Sequence, residues 1–364
     1  MIGASFPAVP TETISSGKLV GPVVEDRLSG MVWGSLIGDA LAMPAHWYYN
    51  RTQLHVDYGE IRDFVSPKNP HPGSILWRSG YTAANSKGEI LHEQARYWGQ
   101  RDVHYHQFLQ PGENTLNLKL ALELARLLTA LGRYDADLYL DDYIEFMTTP
   151  GSHNDTYVEE CHREFFKRYS RGLRPRKCGG EDIHIGGLAS VAILCAWARG
   201  EMEEAVQLVR EHVSLTHRSR ETLQAAETLA RMLCDLIRGE DMAETLARRA
   251  PAWLKMKEAI KWGREPDSVV VGQRFSPACY IKEAFPATLY LAWKYADDLE
   301  AGLIANTNLG GDNCHRGAAL GALLGAAGGR ASVPARWRQG LLAGGNIEAF
   351  LAGLQASESG SDEA

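Results

Sequence analysis

The stretch Leu116-Asn-Leu-Lys-Leu-Ala-Leu-Glu-Leu-Ala-Arg-Leu-Leu-Thr-Ala-Leu131 repeats its apolar side chains at the three- and four-residue spacings of one helix face and contains no β-branched run. Asn114 or Thr115 stands where a capping side chain belongs, and Gly132 follows where a helix ends. The same period recurs in residues 188–198, 221–237, 285–294 and 318–327, and more briefly in 27–36, 139–148 and 157–169. Ser214-Leu-Thr216-His217 is expected to cap the helix at 221–237. Only Val269–Val271 reads as a compact strand signal, so the expected fold class is all-α.

Composition narrows the classes further. The 364 residues are 45% hydrophobic and 23% charged, with 38 basic and 45 acidic side chains giving a net charge of −7. A chain this apolar folds, and one this acidic lacks the basic surface that binds nucleic acid. The small-residue stretch 317–329 is far shorter than the roughly 20 residues that span a bilayer, so no membrane partner is expected. Six cysteines without a CxxC pair read as reduced thiols of a cytoplasmic protein. Residues 1–24 read as a flexible tail without a signal peptide, 25–355 as one domain, and 356–364 as a disordered acidic tail. Residues 44–111 read as long loops with one amphipathic piece at 88–98, the kind of segment that forms functional surfaces or lids.

Four polar islands interrupt the helices. Gly34-Ser-Leu-Ile-Gly38-Asp39 places two glycines where a neighbouring backbone approaches closely, and Pro44, His46, Trp47 and Tyr48 follow. Pro111-Gly-Glu113-Asn114-Thr115 opens the helix at 116, with Thr115 a cap and Glu113 a candidate acid or base. Gly310-Gly311-Asp312-Asn313-Cys314-His315-Arg316 crowds polar and reactive groups ahead of an apolar helix, where free amides point forward. His153-Asn-Asp155-Thr and Gly179-Gly-Glu181-Asp182-Ile-His184 also precede helices, and their acids equally suit ligands or helix dipoles. His55, His71, His92, His104, His106 and His212 lack metal-ligand spacing and read as solvated or locally bonded. Trp47, Tyr48, Tyr49 and Trp77 suit either base stacking or a small loop core.

Taken in order, Asp26-Arg27, Gly34-xxx-Gly38-Asp39-Ala40, Glu113-Asn114-Thr115, Leu215-Thr216-His217, Ala284-Phe285-Pro286-Ala287 and Gly310-Gly311-Asp312 resemble the ADP-ribosylglycohydrolase family. That family includes the glycohydrolase that reactivates dinitrogenase reductase, and lens crystallins. The resemblance covers about residues 26–330 and implies a compact, single-domain orthogonal bundle of helices. It also implies cleavage of ADP-ribose from its acceptors with two magnesium ions. The implied ligands are changed here: the family's Glu becomes His46, its Thr-Asp-Asp-Thr becomes Gly112-Glu113-Asn114-Thr115, and a later Asp and Thr become Cys314 and His315. His46, Glu113, Asp312, Cys314 and His315 mix nitrogen, oxygen and sulfur, a set suited to a zinc-like ion or to none rather than to magnesium.

Catalysis is accordingly expected from Glu113, Asp312 and His315, with Trp47, Tyr48, Asp39, Asn114, Asp155, Gly310, Gly311 and Asn313 about the substrate. The leading expectation is a hydrolase of a ribosyl N- or O-glycosidic bond in an ADP-ribose-like or nucleoside-like small molecule or ADP-ribosylated conjugate. A nucleotide-binding pseudoenzyme and a structural, crystallin-like protein stand as alternatives. Nothing in the sequence sets an oligomeric state.

Overall fold

A computed structural model describes residues 21–359, with side chains up to residue 355. Among them ten helices reach ten residues or more: α1 (Pro22–Ala42), α2 (Leu116–Leu131), α3 (Ala136–Thr148), α4 (Glu160–Tyr169), α5 (Met202–Val213), α6 (Arg220–Ile237), α7 (Ile281–Lys294), α8 (Leu299–Leu309), α9 (Asn313–Gly328) and α10 (Gly344–Ser359). No strand forms among the described residues beyond isolated bridges, and the all-α expectation holds.

The axis of the bundle is the antiparallel pair α1 and α9. From Leu28 to Ala42 and from Asn313 to Ala326 both are buried on every side, so their apolar residues show no single stripe. Their contact is a seam of glycines, Gly30, Gly34 and Gly38 facing Gly325, Gly321 and Gly317. A Cβ on Gly34 would strike the carbonyl oxygen of Gly321, and one on Gly38 that of Gly317. Glycine therefore lets the two backbones touch, at a distance where Cα–H groups meet carbonyls. No helix among the described residues is long and apolar enough to cross a membrane.

Most expected helices appear with shifted ends. α2 has the expected bounds, Thr115 at its cap position and Gly132 left-handed at φ 65°. α6 is capped by Ser219, whose side chain accepts from the amide of Thr222, while residues 214–217 turn the chain out of α5. The helix expected at 188–198 divides into a 3₁₀ turn, Ile185–Leu188, and a short helix, Val191–Trp197. Val269–Val271 is no strand: one turn, Asp267–Val269, runs into a kinked segment, Val270–Arg274, where Gly272 takes φ 150°.

The segment 44–111 holds a helix the pattern missed, Arg51–Tyr58, capped by Asn50, and its amphipathic piece is a 3₁₀ turn, His92–Tyr97. Residues 22–24, expected in the tail, begin α1, and α10 runs to Ser359, into the second expected tail. Residues 1–20 and 360–364 of those two tails lie outside the described part.

Candidate functional site

Because α1 and α9 run in opposite directions, the end of one delivers its residues against the start of the other. The 3₁₀ turn Met43–Ala45 closes α1 and leaves His46 extended, while Gly310 and Gly311, at φ 63° and 68°, aim Asp312 at it. Only glycine fits that turn: a Cβ on Gly310 would strike the carbonyl of Tyr48, and one on Gly311 that of Pro277. The loop locks through Trp47 N donating to Gly311 O at 2.7 Å and Gly311 N donating to Tyr48 O at 2.8 Å.

At this junction lies a continuous buried chain of polar groups. Asp155 Oδ1 is 2.5 Å from His106 Nδ1, and His106 Nε2 is 2.6 Å from His46 Nδ1. His46 Nε2 is 3.2 Å from Asp312 Oδ1, which also lies 2.9 Å from His315 Nδ1. His315 Nδ1 in turn is 3.6 Å from Glu159 Oε1. At the start of α2, where a helix leaves amides without partners of its own, Leu116 N donates to Asp155 Oδ2 at 3.0 Å.

Burial and charge set the protonation states. Burial works against a charge on His315, but Glu159 and Asp312 push it up to about 10. Burial brings His46 down to about 4, against the pull of Asp312. Despite burial, His315 and His46 hold Asp312 well below the usual carboxylate range, and His106 lowers Asp155. The second oxygen of Asp312 is buried and has no hydrogen-bond partner. An ionised oxygen with nothing bonded to it calls for a ligand.

The remaining expected residues divide. Asp39 is a clamp between α1 and α2, accepting from Thr115 N at 2.8 Å, Thr115 Oγ1 at 2.7 Å and Asn114 Nδ2 at 2.9 Å. Asn313 donates to Thr307 O at 2.9 Å and braces the turn, as Arg316 does through Gly310 O. Trp47 is buried against Tyr105 and Tyr157, and Tyr48 is stacked on His71 with its hydroxyl on Asp57. Neither ring is free to receive a base, whereas Tyr49 is 45% exposed. Glu113 is directed elsewhere: Lys119 Nζ donates to one oxygen at 2.6 Å and Gln110 N to the other at 2.8 Å. It belongs to none of the potential ligand groups among the described residues.

Two residues at the centre were not anticipated. His106 reads as peripheral in sequence, yet it and His71, His104 and His212 are buried. His104 leads into the turn at residues 105–108, where His104 Nε2 donates to Pro44 O at 3.1 Å and His106 N donates to His104 Nδ1 at 3.0 Å. Glu159, at the cap position of α4, accepts from Asn117 Nδ2 at 2.6 Å.

Two sets of atoms here lie within 4.8 Å of one another, His46 with His106 and Cys314, and His46 with Asp312 and His315. Asp312 supplies the only carboxylate of either set, so they do not fit a pair of magnesium ions, which require oxygen ligands. One softer ion fits better. Cys314 sits against Ala42, Met43 and Leu109, where burial pushes its thiol well up and keeps it neutral.

A family model described as ADP-ribosylglycohydrolase matches residues 21–363. A solved structure described as an ADP-ribosylglycohydrolase-related protein complex superposes with a TM-score of 0.63 and 24% identity, covering 92% of this chain and 99% of that one. That likeness speaks for the fold. No curated protein matches.

Proposed function

From the premise that the chain belongs to the ADP-ribosylglycohydrolase family, we propose that it hydrolyses a ribosyl N- or O-glycosidic bond of an ADP-ribose-like molecule or conjugate. A glycohydrolase-type function comes with the family. The finer reading rests on one observation, the ionised and unpartnered Asp312 oxygen beside a cationic His315.

Glycosidic cleavage develops positive charge at the anomeric carbon and negative charge on the leaving group. Asp312 stabilises the first and the His315 imidazolium donates a proton to the second. Glu159, the least buried acid at the centre, activates the water. In this reading His315 supplies the positive charge that a metal brings to other members. A second reading, favoured by the same oxygen, has one zinc-like ion held by His46, Asp312 and His315; such an ion supplies Lewis acidity.

The test is chromatographic detection of ADP-ribose or ribose released from a panel of ADP-ribosylated peptides, nucleotide sugars and nucleosides, with and without chelator. Release that survives the chelator and is lost in Asp312→Asn supports the metal-free reading, and release that needs zinc supports the second. No release from any compound, with ADP-ribose binding by calorimetry, would leave a pseudoenzyme and overturn the proposal.

A further inference from the structure

Two polar motifs that take no part in the buried chain, at residues 179–184 and 215–217, are joined through their backbones. Gly180 pairs with His217 in a parallel bridge, Gly180 N donating to Thr216 O at 3.1 Å and Arg218 N to Gly180 O at 2.7 Å. A Cβ on Gly187 would meet the His217 ring at 3.0 Å, so glycine makes room for the imidazole. Cys161, in the first turn of α4, completes the group. One ligand atom each from Cys161, Asp182 and His217 lie within 4.8 Å of one another.

The surroundings fix these side chains. His184 Nδ1 and N donate to Asp182 Oδ1 at 2.9 and 2.8 Å, and Thr222 Oγ1 donates to the Asp182 carbonyl at 2.9 Å. His217 Nδ1 donates to Thr216 Oγ1 at 2.8 Å, which leaves a lone pair on Nε2. That nitrogen is buried, lies 3.5 Å from Asp182 Oδ1 and has no hydrogen-bond partner. A buried acceptor turned towards a carboxylate that only accepts calls for a cation between them. The neighbouring set Glu159, Cys161 and His162 makes no such demand, because Tyr143 and Asn117 occupy both ring nitrogens of His162.

We propose that Cys161, Asp182 and His217 bind one zinc-like ion. Sulfur, nitrogen and oxygen donors together suit zinc. A thiolate and a carboxylate cancel the charge of a divalent ion, so the buried site is neutral overall. Burial keeps the His217 imidazole uncharged, the form that ligates, and pushes the Cys161 thiol well up. The ion reverses that last effect: as the zinc–sulfur bond forms, the thiol proton leaves to solvent. Zinc bonds of about 2.0–2.3 Å space their ligands about 3–4 Å apart, so shifts of about 1 Å close the set. Cys161 and Asp182 also line a cavity of about 450 Å³ with His184 and Tyr280. It gives the ion an entry path and leaves the fourth position to water or an incoming ligand.

The experiment titrates the full chain, stripped by chelator, with cobalt(II) and then with zinc. The expected result is a thiolate-to-cobalt charge-transfer absorption that zinc displaces, with release of about one proton per ion. Cys161→Ser abolishes the absorption, and His217→Gln weakens zinc binding, read by that displacement, at least about 100-fold. Thr216→Val, which removes only the partner of Nδ1, weakens it about 10-fold. Cys314→Ser and Asp312→Asn keep the absorption, which separates this ion from one held in the buried chain. No absorption in the unaltered protein at saturating cobalt would overturn the proposal, as would its persistence in Cys161→Ser. Undiminished zinc affinity in His217→Gln, with melting temperature preserved, would do the same.

Discussion

His46 Nδ1 and His106 Nε2 share a hydrogen bond of 2.6 Å between rings stacked 8° from parallel, with centroids 4.9 Å apart. Asp312 and Asp155, held ionised at the two ends, can only accept. Each imidazole therefore turns one nitrogen to its own acid and the other to its neighbour, and burial, which brings His46 down to about 4, keeps that ring neutral.

Replacing His106 by Gln removes the imidazole that joins Asp155 to His46 and leaves the buried Asp155 carboxylate without that partner. Unfolding in urea should show a loss of about 3–5 kcal/mol, the cost of breaking a buried pair by deleting one side. An unchanged midpoint would mean that Asp155 does not depend on this partner.

Glu113→Gln should leave release of ADP-ribose intact, because both oxygens are occupied by Lys119 and Gln110 away from the buried chain. Its stability cost should be about 1–2 kcal/mol, since the pair with Lys119 is largely shielded from solvent. Asp312→Asn, by contrast, should reduce turnover by at least about 100-fold. Equal activities of the two variants would contradict the assignment.

Stability should peak near pH 6.5. Burial lowers His46 and His71 to about 4 and His162 and His212 to about 3, so the fold favours their neutral forms. That contribution is complete above the unfolded value near 6.5 and is lost as pH falls through the folded values. His315 and His184, raised to about 10 and about 12, act in the opposite sense: their contribution is complete below 6.5 and declines as pH rises through those values. Melting temperatures from pH 4 to 10 should show the maximum and a steeper acid limb.

Gly34→Ala should cost more than about 3 kcal/mol, because its methyl group meets the Gly321 backbone rather than a side chain that can turn away. Gly345→Ala, in α10 with nothing within 4 Å, should change stability by less than about 1 kcal/mol. Calorimetry of the two variants compares them directly.

The helical class was legible because outer helices such as α2 and α6 each bury one face, and that periodicity is written in the sequence. The ends of α1 and α9 were less so, since helices buried all round show no stripe. At the site, Asp312, His315 and Asp155 stood out as polar groups beside helix starts, and His46 as the residue standing where the family has a Glu. His106 and Glu159 did not, because what brings them in is the path of residues 44–111 and the packing of α4. Glu113 lies apart from them for the converse reason: a carboxylate beside a helix start is as well served by a nearby lysine as by a ligand.

The glycine seam joins residue 30 to residue 325, nearly the full length of the chain apart. Contacts so distant in sequence are slow to form, and during synthesis the second partner emerges late. The junction of His46 with Asp312 is thereby deferred to the end of folding, so a nascent or truncated polypeptide holds its reactive groups unassembled until α9 docks.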